Sequence, residues 1–296
     1  MSQMSTVGKQ EGFGATHRRD AWWFGPTLTV LGLSAFLIYG TWAAWQGNHY
    51  EIRKNRDDFH TPNNPAVAPY LSPFFSPLIY DPQSTHAWIK ADLRPGWLPA
   101  WAPFSAGFLI LAFPGLFRLT CYYYRKAYYR SFWADPPACA VGEPRKSYWG
   151  ENHWPLLFQN LHRYFMYFAL IFLVILGWDA LHAFWWPTMR DGTLRSSGGQ
   201  FGIGLGTLIM VANVILLSGF TLGCNSVRHL VGGRLDCFSC PNNINKANTG
   251  YKMWRCSTLL NEHHMEWAWA SLISVGFTDV YIRMCSMGLW TDLRIM

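Results

Sequence analysis

The sequence has few charged residues for its length. Asp, Glu, Lys and Arg make up 14% of 296 residues, whereas about a quarter is usual for a soluble domain. Half of the residues are hydrophobic and 17% are aromatic, yet the mean hydropathy is only +0.03. That average combines long uncharged runs with strongly polar connections. The composition predicts a polytopic membrane protein without a separate soluble domain.

Several signatures of soluble enzymes are also missing. The sequence contains no Gly-rich phosphate loop, no GxGxxG and no GxSxG. These absences argue against a flavin, a nucleotide or a nucleophilic serine in this chain. If the chain carries a redox metal, its electrons must therefore come from a partner and leave to a molecule dissolved in the membrane.

A cleavable signal is not predicted either. The first twenty residues are polar and end in His17-Arg18-Arg19-Asp20. The apolar run that follows is too long for the core of a signal peptide. We therefore expect the first helix to remain in the membrane.

Five runs are long enough to cross about 30 Å of hydrocarbon at about 1.5 Å per residue. They predict one all-α membrane domain over residues 1–296. Pro114-Gly115 predicts a kink in the second span, and Gly202 and Gly206 permit close packing in the fourth. The third span is overlong and is expected to tilt or protrude. The predicted spans are Ala21–Trp45, Ala100–Tyr124, Pro155–Trp186, Phe201–Cys224 and Met265–Leu289.

The distribution of positive charge predicts an orientation. With the N-terminus inside, the inner segments hold 15 of the 24 Lys and Arg residues, as the positive-inside rule requires. The Pro-rich outer loop, residues 46–99, is expected to form an irregular cap. Because the net charge of +7 is concentrated on one membrane face, it favours lipid head groups or a docked acidic partner over nucleic acid.

This topology places six of the seven cysteines on the inner side. In bacteria that side is reducing, so these thiols are expected to be free or to bind metal. Three histidines, His162, His229 and His264, lie near the inner ends of different helices. Ionisable residues at membrane depth are costly and usually functional. The inner cysteines are Cys121, Cys139, Cys224, Cys237, Cys240 and Cys256.

Two metal centres are compatible with these residues. Two imidazoles from facing helices can hold a haem b, whereas two imidazoles and two thiolates suit a Rieske-type [2Fe–2S] centre. A pair of stacked haems is disfavoured because His182 is the only histidine at an outer helix end. A single inner haem stays open. The Cys237-Phe-Ser-Cys240 motif is interpreted as an ordinary turn, since Cys256 supplies only one further zinc ligand nearby.

Acidic residues lie at the outer helix ends. Asp179 is in the third span, and Asp279 precedes Arg283 by four residues in the fifth. Side chains at this spacing meet on one helix face. The spacing of Asp279 and Arg283 predicts a structural ion pair rather than a route for protons.

The chain resembles the single-subunit membrane anchor of actinobacterial-type (type F) succinate dehydrogenase, respiratory complex II. The resemblance covers most of the chain from the second half of the outer loop onward, and the tyrosine–arginine stretch is the most specific part. The matching stretches are YLSPFFSP (70–77), RLTCYYYRKAYYRSFW (118–133), PPACAVGEP (136–144), QNLHRYFMYF (159–168), CNSVRHLVGGRL (224–235), NEHHMEWAW (261–269) and DVYIRM (279–284).

The resemblance implies a five-helix anchor in the bacterial plasma (inner) membrane. Such an anchor docks a FAD-containing flavoprotein and an iron–sulfur subunit at its inner face, and it passes electrons from succinate, a tricarboxylic acid cycle intermediate, to quinone. The family also implies a membrane-embedded Rieske-type [2Fe–2S] centre with two Cys and two His ligands. The implied thiolates are Cys121 and Cys139, with Cys224 in reserve, and the implied imidazoles are two of His162, His229 and His264.

Two positions depart from the family pattern. Asn225 stands where the family pattern has a histidine, and His263 is an additional histidine. Cys237 and Cys240 are not expected from the family and are left out of the predicted site.

Apolar and aromatic walls with a few polar groups are typical of ligand pockets, including those for quinone. The candidate quinone-binding residues are Tyr122, Arg125, Arg163 and Arg228.

Two other functions stay open. One is a haem b-containing anchor of a fumarate reductase, because the direction of catalysis is not encoded in these motifs. The other is a structural anchor without a cofactor. A membrane di-iron enzyme is disfavoured because it needs several His-rich boxes, and a transporter is disfavoured because the chain has no repeats.

Overall fold

The computed structural model describes most of the chain, with gaps mainly in the polar connections. The described residues are 12–52, 69–82, 84, 86–99, 102, 104–145, 153, 154, 156–190, 193–233, 235 and 249–296.

Helices dominate the described part of the chain. Short 3-10 helices cover Pro73–Phe75 and Leu156–Leu161. The α-helices are α1 (Phe24–Gln46), α2 (Ala106–Leu119), α3 (Tyr122–Ser131), α4 (His162–His182), α5 (Leu205–Leu222), α6 (Asn225–Gly232), α7 (Thr249–Glu262) and α8 (His264–Ser286).

Three helical segments are long and apolar enough to cross a membrane: α1, Leu157–His182, which contains α4, and α5. A fourth is possible if α2 and α3, which meet at an 80° bend, form one broken span. The helix α8 is as long as α1, 23 residues, but it carries three charged residues and does not meet the same standard of apolarity. The five-span topology is thus confirmed for three or four segments, and the fifth span and the inner N-terminus stay predictions.

The second predicted span ends differently from the expectation. Helix α2 continues through Pro114, and the bend falls at residues 120–121. Cys121 is extended there, with φ −65° and ψ 134°. The sequence of α3, YYYRKAYYRS, is rich in tyrosine and arginine, which are stable at the level of lipid head groups rather than in hydrocarbon. The chain therefore turns where the apolar run ends.

A small β-hairpin departs from the all-α prediction. Strands β1 (Trp185–Arg190) and β2 (Thr193–Phe201) pair antiparallel. Helix α4 ends at His182, so the overlong third span is divided between a helix and a strand. Gly206 permits a close contact, as predicted, but its neighbour is an aromatic ring. A Cβ atom there would lie 2.4 Å from the ring of Tyr70.

The described residues form two compact units. The first contains residues 12–38 and 118–162, and the second contains residues 39–117 and 163–296, each within the described ranges. This division does not test the prediction of a single domain.

In the second unit, the segment Tyr70–Leu78 of the Pro-rich loop is buried. It is irregular, as expected of a cap, but it packs as part of the core. The ring of Phe75 stacks on Tyr50 at 4.3 Å, and the ring of Tyr70 meets Trp186 edge-on at 5.7 Å. We call this segment the plug.

Polar contacts fix the plug to the helices. The hydroxyl of Ser72 donates to Asp279 on α8, and the hydroxyl of Ser76 donates to Asp179 on α4. The hydroxyl of Tyr70 donates to Asp292 at 2.8 Å. Each serine thus donates a hydrogen bond to a carboxylate that lies inside the protein. These hydrogen bonds offset part of the cost of burying Asp279 and Asp179.

Candidate functional site

The tyrosine–arginine helix α3 borders a cavity of about 300 Å³ in the first unit. The guanidinium of Arg125 lies 4.5 Å from the centre of the Tyr122 ring, a favourable cation–π geometry. Two of the four candidate quinone-binding residues therefore line one cavity. Its lining residues are Tyr122, Arg125, Lys126, Tyr129, Arg130, Asp135, Pro136, Ala138 and Cys139.

Gln159 organises the wall of this cavity. Its side-chain oxygen accepts hydrogen bonds from Tyr129 at 3.3 Å and from Arg125 at 3.4 Å, and its amide nitrogen donates to the hydroxyl of Tyr128. Sequence analysis did not single out Gln159. Its position in the stretch QNLHRYF, three residues before His162, is the sequence signal that could have identified it.

Cys139 also faces this cavity, and the N-terminal segment holds its backbone. The guanidinium of Arg18 donates to the carbonyl of Cys139 at 3.0 Å, and the hydroxyl of Thr16 donates to the carbonyl of Ala140 at 2.8 Å. The turn after Pro136 thus brings Cys139 to the cavity that Tyr122 lines. The side chain of Cys139 is exposed.

Cys121 is buried and lies beside a histidine. Its neighbour Thr120 contacts Nδ1 of His162 through its hydroxyl at 2.9 Å. Ligand histidines in proteins are commonly oriented by a hydrogen bond at the other ring nitrogen. Cys121 and His162 therefore lie in the same unit, which also contains the predicted thiolate Cys139.

The second unit contains a similar pair. Cys224 is buried directly after α5, and His264 is the first residue of α8. The ring of His264 stacks on Phe220 at 5.0 Å, and the side-chain amide of Asn261 donates to the carbonyl of Gly223 at 2.7 Å. These contacts bring the end of α5 to the start of α8.

Cys121 and Cys224 share a backbone conformation. Each is the residue directly before a short helix, and their φ and ψ angles are −65° and 134° for Cys121, and −66° and 138° for Cys224. The partial positive charge of a helix N-terminus acts in favour of a thiolate at this position, but burial raises the pKa of the Cys224 thiol. The two segments, LTCYYYR and LGCNSVR, also share the pattern Leu-x-Cys-x-x-x-Arg.

The remaining candidates lie elsewhere. His229 and Arg163 are exposed, and the guanidinium of Arg228 lies 5.2 Å from the ring of Trp254. Cys237 and Cys240 are outside the described residues. Within the described ranges, no group of three or more His, Cys, Asp or Glu side chains is assembled to hold a metal ion.

These features define a polytopic membrane protein that presents a basic, tyrosine-lined cavity. The family of actinobacterial succinate dehydrogenase subunits SdhC matches residues 24–288, and the chain belongs to this family. The chain is also similar to a chain of the Mycobacterium smegmatis Sdh1 complex in the apo form. The two are 42% identical, the match covers 95% of this chain and 94% of that one, and the TM-score is 0.74. No curated protein matches the sequence.

Proposed function

We propose that this chain anchors a succinate:quinone oxidoreductase in the bacterial plasma membrane. In this proposal it docks a flavoprotein and an iron–sulfur subunit at the face that carries α3, and electrons from succinate reach quinone there. The observation that carries the proposal is the 42% identity, over 95% of the chain, to a chain of a succinate dehydrogenase complex.

The cavity beside α3 has the chemistry of a quinone site. Its volume of about 300 Å³ is at the lower end of the range of about 300–1,000 Å³ for small-molecule sites. The hydroxyl of Tyr122 and the guanidinium of Arg125 are donors that suit the two acceptor carbonyls of a quinone. Quinone takes up two electrons and two protons to become quinol. The basic wall stabilises negative charge that develops on its oxygens before protonation.

The quinone proposal predicts a selective defect. Arg125→Gln and Tyr122→Phe should each raise the KM for quinone about tenfold, because each removes one hydrogen bond worth about 1.4 kcal/mol to the bound ring. Succinate-dependent reduction of a water-soluble dye should be unchanged, since the dye bypasses the membrane subunit. Both activities are measured on the complete purified complex.

Arg19→Gln is the matched control, because it removes an exposed arginine from the same unit outside the cavity. If Arg125→Gln and Arg19→Gln gave the same quinone kinetics, the quinone site would lie elsewhere. Arg163→Gln and Arg228→Gln would then be the variants to compare.

We further propose that the chain carries a Rieske-type [2Fe–2S] centre. Two thiolates and two imidazoles are required; the candidate thiolates are Cys121 and Cys139, with Cys224 in reserve, and the candidate imidazoles are His162, His229 and His264. In the first unit, the burial of Cys121 and the hydrogen bond between the Thr120 hydroxyl and Nδ1 of His162 support Cys121 and His162 as ligands. Cys139 and His229 are exposed and rank below them.

Such a centre would supply one-electron transfer within the membrane. Burial opposes ionisation of a thiol, and a bound metal ion offsets that cost. Thr120 would keep the ring of His162 in one orientation, and Phe220 would do the same for His264 through stacking. These contacts limit the movement of the ligands, which favours fast outer-sphere electron transfer.

Electron paramagnetic resonance and iron analysis of the purified complex test the assignment. A Rieske-like signal should disappear in Cys121→Ser, and total iron should fall by two per complex. Comparison of Cys139→Ser with Cys224→Ser identifies the second thiolate, because only the variant that lacks a ligand should lose the signal. Retention of the signal in Cys121→Ser would refute the assignment of Cys121. A haem b absorption band without a Rieske signal would refute the cluster and favour the haem-containing anchor.

A further inference from the structure

A second cavity, of about 380 Å³, lies in the second unit where α1 ends and α2 begins. Trp45 and Gln46, at the end of α1, line it together with Ser105, directly before α2. Because α1 is a candidate membrane span, its end marks the level of the lipid head groups, where tryptophan is frequent. The cavity is therefore accessible to the polar part of a lipid. We call it the head-group cavity.

Aromatic rings form much of its wall. Tyr50 and Phe75 stack at 4.3 Å, and Tyr80 and Phe104 stack at 5.4 Å. All four residues line the cavity. The faces of aromatic rings attract ammonium groups, so this wall favours a ligand with a positively charged amine.

Charged residues of both signs line the same cavity: Asp81, Asp92 and Arg94. The guanidinium of Arg94 donates to the carbonyls of Pro99 at 2.5 Å and Ala102 at 3.1 Å, which holds it at the rim. Carboxylates attract an ammonium group, and a guanidinium attracts a phosphate. With two carboxylates and one guanidinium, the lining favours a zwitterion over an anion.

One residue that lines the cavity, Tyr80, has a polar atom without a partner in the described part of the chain. The hydroxyl of Tyr80 is buried, and it has no hydrogen bond within the described part of the chain. Burial, followed by the negative charge of Asp92, raises the pKa of Tyr80, so the phenol is protonated and is able to donate. Buried hydroxyl groups normally have a partner. A bound acceptor would provide it.

We propose that the head-group cavity binds the head group of an amine-containing zwitterionic phospholipid, phosphatidylethanolamine. The ammonium group contacts Asp81, Asp92 and the aromatic faces. The phosphate accepts hydrogen bonds from Tyr80 and Arg94. The lipid would then connect the end of α1 to the outer loop. This inference does not depend on the proposed quinone site, which lies in the other unit.

Native mass spectrometry of the complete complex tests the proposal. The complex is incubated with equal concentrations of phosphatidylethanolamine and phosphatidylglycerol, and the retained lipids are counted. The wild type should retain phosphatidylethanolamine preferentially. Tyr80→Phe should retain it about tenfold less, because one hydrogen bond to the phosphate is lost. Asp92→Asn should shift the preference toward phosphatidylglycerol.

Lys90→Gln is the control, because it removes an exposed charge from the same loop without lining the cavity. It should retain phosphatidylethanolamine like the wild type, and the same spectra report whether each variant assembles. Equal retention of both lipids by the wild type, or unchanged retention by Tyr80→Phe, would overturn the proposal. So would a rise in the KM for quinone in Tyr80→Phe, because the cavity would then bind quinone.

Discussion

Nε of Arg283 lies 3.2 Å from a carboxylate oxygen of Asp279, one helical turn away, and both side chains are fully buried. Both residues of the pair form further hydrogen bonds. Nη1 of Arg283 donates to the side-chain oxygen of Gln46 and to the carbonyl of Asn48, each at 3.0 Å. The hydroxyl of Tyr39 donates to Asp279 at 2.5 Å. The pair therefore connects α8 to α1 and to the residues that follow α1.

Removing one partner of this pair should be more harmful than removing both. Asp279→Leu leaves a buried, uncompensated guanidinium and should cost about 3–5 kcal/mol of stability. The double variant Asp279→Leu/Arg283→Met should lose less, since neither charge remains. The Tm of the purified complex reports both effects. A double variant that is less stable than Asp279→Leu would show that the two charges do not act as a pair.

The plug should be sensitive to the loss of a single hydroxyl. Ser72→Ala removes the donor to Asp279 and the acceptor of the backbone N–H of Phe74 at 3.2 Å. Leaving buried polar groups unpaired costs about 1–3 kcal/mol each, and the Tm of the complex should fall accordingly. Thr27→Ala is the control, because that exposed hydroxyl donates to the carbonyl of Trp23, directly before its own helix. Equal changes in the two variants would contradict the structural role of the plug.

Two glycines should respond in opposite directions to the same substitution. Gly206→Ala places a Cβ atom 2.4 Å from the ring of Tyr70, and overpacking of this kind costs about 1–3 kcal/mol. Gly177, inside α4, has open space around it. Gly177→Ala should stabilise the helix by about 0.5–1 kcal/mol. Thermal unfolding of both variants checks the contrast, and destabilisation by Gly177→Ala would contradict it.

His49 should make the stability of the second unit depend on pH. Partial burial, followed by the positive charge of Arg283, lowers the pKa of His49. The unfolded chain then binds a proton more readily than the folded chain, so stability is complete above the unfolded pKa of about 6.5 and falls as the pH decreases below it. The Tm should therefore drop more between pH 7.5 and 5.5 than in His49→Asn.

Asn is the suitable replacement because His49 has a positive φ of 56°, a conformation that Asn tolerates better than most residues. Identical pH profiles for the wild type and His49→Asn would mean that other groups determine the response. The variant also keeps a polar side chain near Ser286, whose hydroxyl lies 3.4 Å from Nδ1 of His49.

Patterns within one segment predicted much of the fold. The apolar runs of α1, α4 and α5 were found because length and hydropathy are local properties. The pairing of Asp279 with Arg283 followed from their spacing of four residues. The second span was predicted to extend to Tyr124, whereas α2 ends at Leu119 and the turn falls at residues 120–121.

The candidate site was only partly predictable. Cys121, His162 and His264 were named, and the structure gives each a specific environment. Thr120, Gln159 and Phe220 were missed, because their roles depend on which side chains they contact. Cys224 was held in reserve, and the backbone conformation that it shares with Cys121 was established by the structure.

The sequence by itself therefore determined the membrane character, the approximate helices and the family resemblance, because these depend on composition, local spacing and short motifs. Only the tertiary structure decided that the plug is buried and that its serines meet carboxylates. Ser72 and Asp279 are 207 positions apart, and no local pattern specifies a contact over that distance. Such contacts depend on how the whole chain packs, since each buried polar group must find its partner in the folded state.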